Sequence, residues 1–274
     1  MKEDRLGDNI SGGSENRLSG DYLVSVVIPA RNEATFFRHL IPRIKESLSR
    51  YQYEVIVVDD GSTDGTGDVA RANHIKVVCH EKSLGKGAAM KAGAKYASGR
   101  AIVFLDGDGA HDPQEVPKVA DAILQGRADL VIGSRALPGH KVAVAPVIRR
   151  FSNNLASFFI SVIISFFLPL VTMFRCPLRW TRITDCTSGF RAIRKESWQK
   201  LNLMSQGFQI ETEMFYEAAR NKLTIVEVPI TCNWSSKVSR LSIIRDGLKT
   251  LKLLAGKLMG DIGESIVTRI LGKQ

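Results

Sequence analysis

The sequence predicts an α/β fold, a mainly parallel central sheet flanked by helices on both faces. Three observations carry that expectation. Short β-branched runs alternate with stretches of helical spacing from Asp21 to Arg135. The strand-like runs are nearly continuous in apolar residues instead of alternating, as strands buried on both faces are. The polar clusters fall just after those runs, where open α/β sheets bind their ligands.

Taken in order, the expected strands are 23–28, 54–58, 75–79, 101–105 and 129–132. Residues 34–49, 65–73, 85–97 and 114–124 have helical spacing or composition between them. Polar motifs follow each strand at 29–33, 59–64, 84–87, 106–113 and 133–135. Beyond Arg135 the pattern changes. Residues 155–174 carry no charge and are flanked by Arg149, Arg150, Arg175 and Arg179. Serines at every fourth position and Pro169 argue against a simple span. A helix lying on or dipping into a bilayer, and one packed on the enzyme's own core, both remain open. The segment 243–274 places Leu248, Leu251, Leu254, Leu258 and Ile262 at helical spacing, with Lys249, Lys252 and Lys257 between them. This is an amphipathic helix that suits anionic lipid or an ordinary protein surface. The expected organisation is a polar, Gly/Ser-rich disordered tail over 1–20, one domain over 21–242, and the amphipathic helix.

The chain has 274 residues, with 44% hydrophobic and 24% charged, the balance of a soluble globular protein. Its net charge of +10 points to a polyanionic partner. Aromatics are 7% and no nucleic-acid-binding signature interleaves them, so phosphates or lipid headgroups are expected and nucleic acid is not. Four cysteines without close pairing or zinc spacing read as reduced thiols of a cytosolic protein. The N-terminus lacks the pattern of a signal peptide.

The most informative stretch is Val103-Phe104-Leu105-Asp106-Gly107-Asp108-Gly109-Ala110-His111-Asp112-Pro113. Two carboxylates one residue apart, just past a strand, can reach one hard divalent cation such as Mg²⁺ or Mn²⁺. So few protein ligands leave room for a substrate's phosphates. An isolated Asp-x-Asp would be a solvated turn; other motifs set this one apart. Asp59 and Asp64 suit turn-forming or helix-capping work, Asp64 above all. Gly85 and Gly87 let backbone approach a ligand. Lys86 is placed to neutralise phosphate.

Together these motifs resemble family-two glycosyltransferases of the GT-A fold, and within them the polyprenyl-phosphate (dolichyl-phosphate) mannosyl- and glucosyltransferases. Val27 to Glu33 resembles the opening strand and loop. Val57 to Thr66 resembles the Asp-Asp-x-Ser-x-Asp nucleoside motif. Leu84 to Ala89, Ile132 to Arg135 and Asp185-Cys186-Thr187-Ser188-Gly189-Phe190-Arg191 follow in order. Phe208 to Glu211 and Ser236-Lys237-Val238-Ser239 resemble the last two motifs. The resemblance implies a nucleotide-sugar site of Pro29, Arg31, Glu33, Val58, Asp60, Lys86, Asp106, Gly107, Asp108, Arg135 and Lys237. It implies a metal held by Asp106 and Asp108, with Asp108 the direct ligand. On the acceptor side it implies Asp185, Ser188, Arg191, Gln209 and Glu211, with Asp108, Arg135, Arg191 and Lys237 in catalysis. His111 is expected to hold the loop. Two departures stand out. Ala110 replaces an amide or hydroxyl, and Thr231 stands where relatives carry a basic residue.

A sugar hydroxyl needs a general base when it attacks. A lipid monophosphate, with its second pKa near ~6, is already largely dianionic and does not. The expected reaction is therefore inverting hexose transfer from GDP-mannose or UDP-glucose to a polyprenyl phosphate at the cytoplasmic membrane face. Arg135, Arg191 and Lys237 would bind phosphates. Transfer to a saccharide or small-molecule hydroxyl, with Asp185 or Glu211 as base, is the alternative. A non-catalytic membrane-associated nucleotide-sugar-binding protein is the different-class alternative, against which the paired carboxylates argue.

Overall fold

The β-branched runs become strands because their side chains fill both faces of a sheet. The computed structural model of the chain describes residues 23–138, 160, 162, 183–233 and 243–271. The tail over 1–20, nearly all of 155–174 and the motif lysine Lys237 lie outside the described residues.

Strands β1 (Val24–Ala30), β2 (Tyr53–Asp60), β3 (Lys76–His80), β4 (Ala101–Phe104) and β5 (Leu130–Ser134) fall on the five expected runs. Between them lie α1 (Ala34–Ser47), α2 (Thr66–Ala72), α3 (Lys86–Tyr96) and α4 (Val116–Leu124). Then follow β6 (Arg191–Arg194), the short α5 (Lys195–Trp198), α6 (Ile210–Arg220), β7 (Ile225–Pro229) and α7 (Ile243–Leu271). The seven strands are ordered β3-β2-β1-β4-β6-β5-β7. All pairings are parallel except those of β6, which runs antiparallel between β4 and β5.

Alternate residues of each strand feed two cores. Val24, Val26 and Ile28 meet Phe37, Ile41 and Ile44 of α1 and Val119 of α4. Val27, Ile56 and Val58 meet Met90 of α3, Met214 of α6 and Leu254 of α7. Gly93 of α3 sits directly on Val27 and Val58, so a Cβ there would clash and α3 would have to lift from the sheet.

Strand β6 was not among the expected elements. Its sequence, Arg-Ala-Ile-Arg, has neither the alternation nor the apolar run of a strand. It pairs on both sides nonetheless, and Arg191 is fully buried. Inserting it parts β4 from β5 and opens the crevice beyond their carboxyl ends, the position where α/β sheets hold ligands.

Candidate active site

Three aspartates shape the loops beyond β1 and β2. Asp59 Oδ1 accepts the Ser62 N–H, closing a tight turn. Asp64 caps two helices: Oδ2 accepts the N–H of Ala34 at the start of α1, and Oδ1 accepts the N–H and hydroxyl of Thr66 at the start of α2. The Thr66 hydroxyl in turn accepts the Glu33 N–H at 2.8 Å. Asp60, expected at the nucleoside, is buried and takes four donors. These are His80 Nδ1 (2.7 Å), the Ser83 hydroxyl (2.7 Å) and the N–H groups of Leu84 (2.8 Å) and Gly85 (2.9 Å). Burial alone would raise its carboxyl pKa; the hydrogen bonds hold it well below the usual carboxylate range. Asp60 thus anchors the loop that delivers Lys86. Arg31 is exposed and reaches the same loop through Ser83 at 3.2 Å. Pro29 and Val58 are register partners on adjoining strands, forming the wall beside it.

The loop after β4 carries the paired carboxylates. Asp106 accepts Lys86 Nζ at 2.6 Å, and the same ammonium reaches Glu211 Oε1 at 2.6 Å. Burial would favour the neutral amine, but Asp106 and Glu211 hold the Lys86 proton more tightly than in water. Lys86 also lies 5.8 Å from the Phe208 ring centre. Glycines make room for this cluster. A Cβ on Gly189 would strike both Asp106 and Lys86, and one on Gly85 or Gly87 would strike the backbone of Gln206 or Ser205. Gly107 packs on Phe37, where a Cβ would come within 2.9 Å. Gly109 turns with φ +73°, a conformation that favours glycine.

Asp108 uses Oδ1 for the Ala110 N–H at 3.0 Å; its other oxygen accepts no hydrogen bond from the described residues. His111 is buried against Phe190, forms an isolated bridge to Cys232, and leaves Nδ1 without a partner. Burial pushes its pKa down, against the pull of Asp106. Asn233 N–H bonds to Ala110 O, so the segment 231–233 is stitched along this loop. Thr231 N–H bonds to Glu115, which is what the residue at this departure does here. The donor set is hard oxygen, with one open carboxylate oxygen on Asp108, and it fits a divalent cation. No group of three His, Cys, Asp or Glu side chains gathers among the described residues, so other ligands of such a cation would come from phosphate or water.

On the far side, Arg135 grips Asp185 in a fork, Nε to Oδ2 at 2.6 Å and Nη2 to Oδ1 at 2.8 Å. Its N–H adds a third bond to the same carboxylate. Burial would raise the Asp185 pKa, but Arg135 holds it low. Arg191, expected on a phosphate, is placed otherwise. Its guanidinium is fully buried and donates to the carbonyls of Ser188, Cys186 and Glu211. It thereby fastens the 186–188 loop to the start of α6. The Ser188 hydroxyl and Glu211 Oε2 are buried without partners. Gln209 precedes α6 and lies against Gly207.

Sequence reasoning missed three of these residues. His80 is the register partner of Asp60, so two strand ends meet there. Ser83 belongs to the loop before Gly85. Glu227 binds Thr184 and Asp185 and was signalled only by an acid set between valines in a strand.

The family model described as Glycosyl transferase family 2 matches residues 25–201. A dolichol-phosphate mannosyltransferase of Pyrococcus furiosus is 35% identical over 76% of the chain, which spans 56% of that relative's length. A polyprenol monophosphomannose synthase of Mycolicibacterium smegmatis is 32% identical over 75% of the chain and 76% of the relative. Among solved structures, glucosyl-3-phosphoglycerate synthase of Mycobacterium tuberculosis superposes with a TM-score of 0.60 at 24% identity, covering 86% of this chain and 81% of that one. Another crystal structure of that enzyme holds Mn²⁺ and uridine-diphosphate-glucose, with TM-score 0.59 at 23% identity over 86% and 79% of the two chains. With its sheet order, its strand-end carboxylates and these matches, the chain belongs to glycosyl transferase family 2 and is a glycosyltransferase of GT-A-like fold.

Proposed function

We propose that the enzyme transfers a hexose, mannose or glucose, from a nucleotide diphosphate sugar to a polyprenyl phosphate with inversion at the anomeric carbon. One observation carries the choice of acceptor. Asp185, a candidate base for a hydroxyl acceptor, has both oxygens committed to Arg135 and its pKa held low. A carboxylate held that way is a poor proton acceptor. A phosphate acceptor asks for none. Its oxygen attacks the anomeric carbon, the bond from that carbon to the diphosphate breaks, and the nucleoside diphosphate departs with the electron pair.

Asp108, with Asp106, would hold a Mg²⁺ or Mn²⁺ ion, which when bound supplies charge stabilisation to the diphosphate. The chain's own residues do the rest. Arg135 and Lys237 are assigned to bind phosphate oxygens, Lys237 on its motif position alone. Lys86 keeps Asp106 ionised and Glu211 in place. Pro29, Val58, Glu33 and Arg31 line the nucleoside side. Arg191 serves by fixing the 186–188 loop instead of touching phosphate.

Glu211 supports a second reading. Its Oε2 is buried and unpartnered beside the cluster, and a substrate hydroxyl would satisfy it. That oxygen suits either a sugar hydroxyl of the donor or a hydroxyl acceptor.

The membrane location in this reading is supported by α7. Leu254, Lys257 and Asp261 face α6, while Leu248, Leu251, Met259 and Ile262 are exposed among the exposed cations Arg245, Lys249 and Lys252. Among the described residues no helix is long and apolar enough to cross a membrane. An outward face of this kind suits an anionic bilayer, which would put the enzyme at the cytoplasmic membrane face as a peripheral or monotopic protein.

The test is to incubate the full chain with labelled GDP-mannose or UDP-glucose, a polyprenyl phosphate and Mg²⁺ or Mn²⁺, then extract into organic solvent. Label in the organic phase with one donor is the expected result. None with any donor, alongside transfer to a saccharide hydroxyl, selects the second reading.

A further inference from the structure

Glu227 lies on β7, the edge strand, between Val226 and Val228, whose side chains pack on the apolar core. Its own side chain turns the other way and meets the 184–185 loop. The carboxylate accepts the Thr184 N–H (2.9 Å), the Thr184 hydroxyl (3.0 Å) and the Asp185 N–H (3.0 Å). All three donors are neutral, and burial pushes the Glu227 pKa up. A strand at this place would be served as well by an apolar residue, so the acid needs a reason.

The loop it grips supplies one. Asp185 is the carboxylate that forks onto Arg135, and Thr184 Oγ1 lies 2.7 Å from Ser134 Oγ, one residue before Arg135. The pairs Ser134–Arg135 and Thr184–Asp185 are therefore zipped side chain to side chain, with Glu227 holding the second pair through its backbone. An ionised carboxylate only accepts. Thr184 must then donate to Glu227 and accept from Ser134, which in turn accepts the Ala136 N–H at 3.2 Å. The direction of every hydrogen bond in this chain is set from Glu227.

We infer that Glu227 is a positioning residue, which fixes the Thr184–Asp185 peptide so that Asp185 aims the Arg135 guanidinium at a substrate phosphate. This rests on the reading of Arg135 as a phosphate clamp. Glu227 touches no substrate; it acts through Asp185. An error of about 1 Å in a positioned group costs on the order of 10²-fold in rate. A softened brace should cost about tenfold.

Glu227→Asp keeps the charge and withdraws the carboxylate by one methylene. Glu227→Gln keeps an acceptor for both N–H groups and an amide for the Thr184 hydroxyl. Initial rates of transfer to polyprenyl phosphate, with thermal melting of each full-length variant, form the test. Glu227→Asp should lower kcat/KM about tenfold, and Glu227→Gln should stay within about threefold of the parent. In an Arg135→Ala background, which is itself strongly impaired, Glu227→Asp should cost less than about twofold. A loss that adds in full to that of Arg135→Ala, or no loss in Glu227→Asp, overturns the inference. If Arg135→Ala itself leaves transfer unchanged, the clamp reading falls instead. Should Glu227→Asp fold poorly, Thr184→Val carries the test, with a loss of about threefold that vanishes beside Arg135→Ala; an undiminished rate in Thr184→Val overturns the inference.

Discussion

The two sides of the crevice are built in different ways. On the β1–β2 side, Asp59, Asp60 and Asp64 are satisfied mainly by backbone N–H groups and hydroxyls of short loops, joined by one imidazole. On the β5–β7 side, carboxylates meet cations brought from far along the chain: Asp185 with Arg135, Glu211 with Lys86, and Glu213 and Glu217 with Lys257. The first kind of site is rigid because hydrogen-bonded turns define it. The second is high in stakes, because removing one partner strands a buried charge. The β1–β2 side is thus a moulded wall, and the β5–β7 side a set of balanced charges.

The largest expected effect lies where the two sides meet. Asp108→Ala should lower transfer by about 10²–10³-fold with an unchanged melting curve, since Asp108 makes a single hydrogen bond to its own loop. Retention of activity would place the metal elsewhere.

Next comes the balanced side. Lys257 is nearly buried and holds Glu213 (3.1 Å), Glu217 (2.6 Å) and the Asn202 carbonyl (2.7 Å). Lys257→Met should destabilise by about 3–5 kcal/mol in urea unfolding, as for a broken buried pair. It should also loosen the 204–205 backbone that Glu213 holds. A change below about 1 kcal/mol, the range of exposed pairs, would erase the contrast between the two sides.

The moulded side should respond less. Asp60→Asn should cost on the order of 2 kcal/mol, because an amide cannot accept from all four donors. The pH dependence has a definite sign. The native Asp60 pKa is depressed below its unfolded value of about 3.9, so its contribution is fully present above about pH 4. It is lost as pH falls from there toward the native pKa. The stability gap between parent and Asp60→Asn should therefore narrow as pH falls below about pH 4. A gap that widens in acid would contradict the assignment.

The smallest effect on stability, and a clear one on binding, belongs to α7. Leu251→Glu with Met259→Glu changes exposed side chains and should leave the unfolding free energy within about 0.5 kcal/mol. Sedimentation with anionic vesicles should fall several-fold. Unchanged sedimentation would remove α7 from the membrane contact.

The same contrast explains what could be read before the fold was known. Short-range devices leave local signatures. The five parallel strands, the cap that Asp64 places on the helix following it and the Asp106–Asp108 loop were legible because each is a run, a turn or a spacing; the second cap of Asp64, on α1, was not. Long-range pairs leave none. Nothing in Arg-Ala-Ile-Arg announces that β6 slips antiparallel between two parallel strands, or that Arg191 spends its donors on three carbonyls. Motif position alone pointed Arg191 at a phosphate. Asp60 was legible as a motif and not in its task, which depends on His80 arriving from the neighbouring strand. Glu227 was invisible for the same reason, since its partners lie more than forty residues earlier.

The double cap at Asp64 has a consequence for how the chain folds. One carboxylate satisfies the first N–H groups of α1 and α2, which begin 32 residues apart at Ala34 and Thr66. The start of α2 is closed by its own near neighbour, but the start of α1 is complete only once both β-α units have come together, where the Glu33 N–H also meets the Thr66 hydroxyl. The β1–α1 junction should then open and close against the 59–66 loop as one cooperative unit in hydrogen exchange, with the Glu33 and Ala34 amides sharing a single opening free energy.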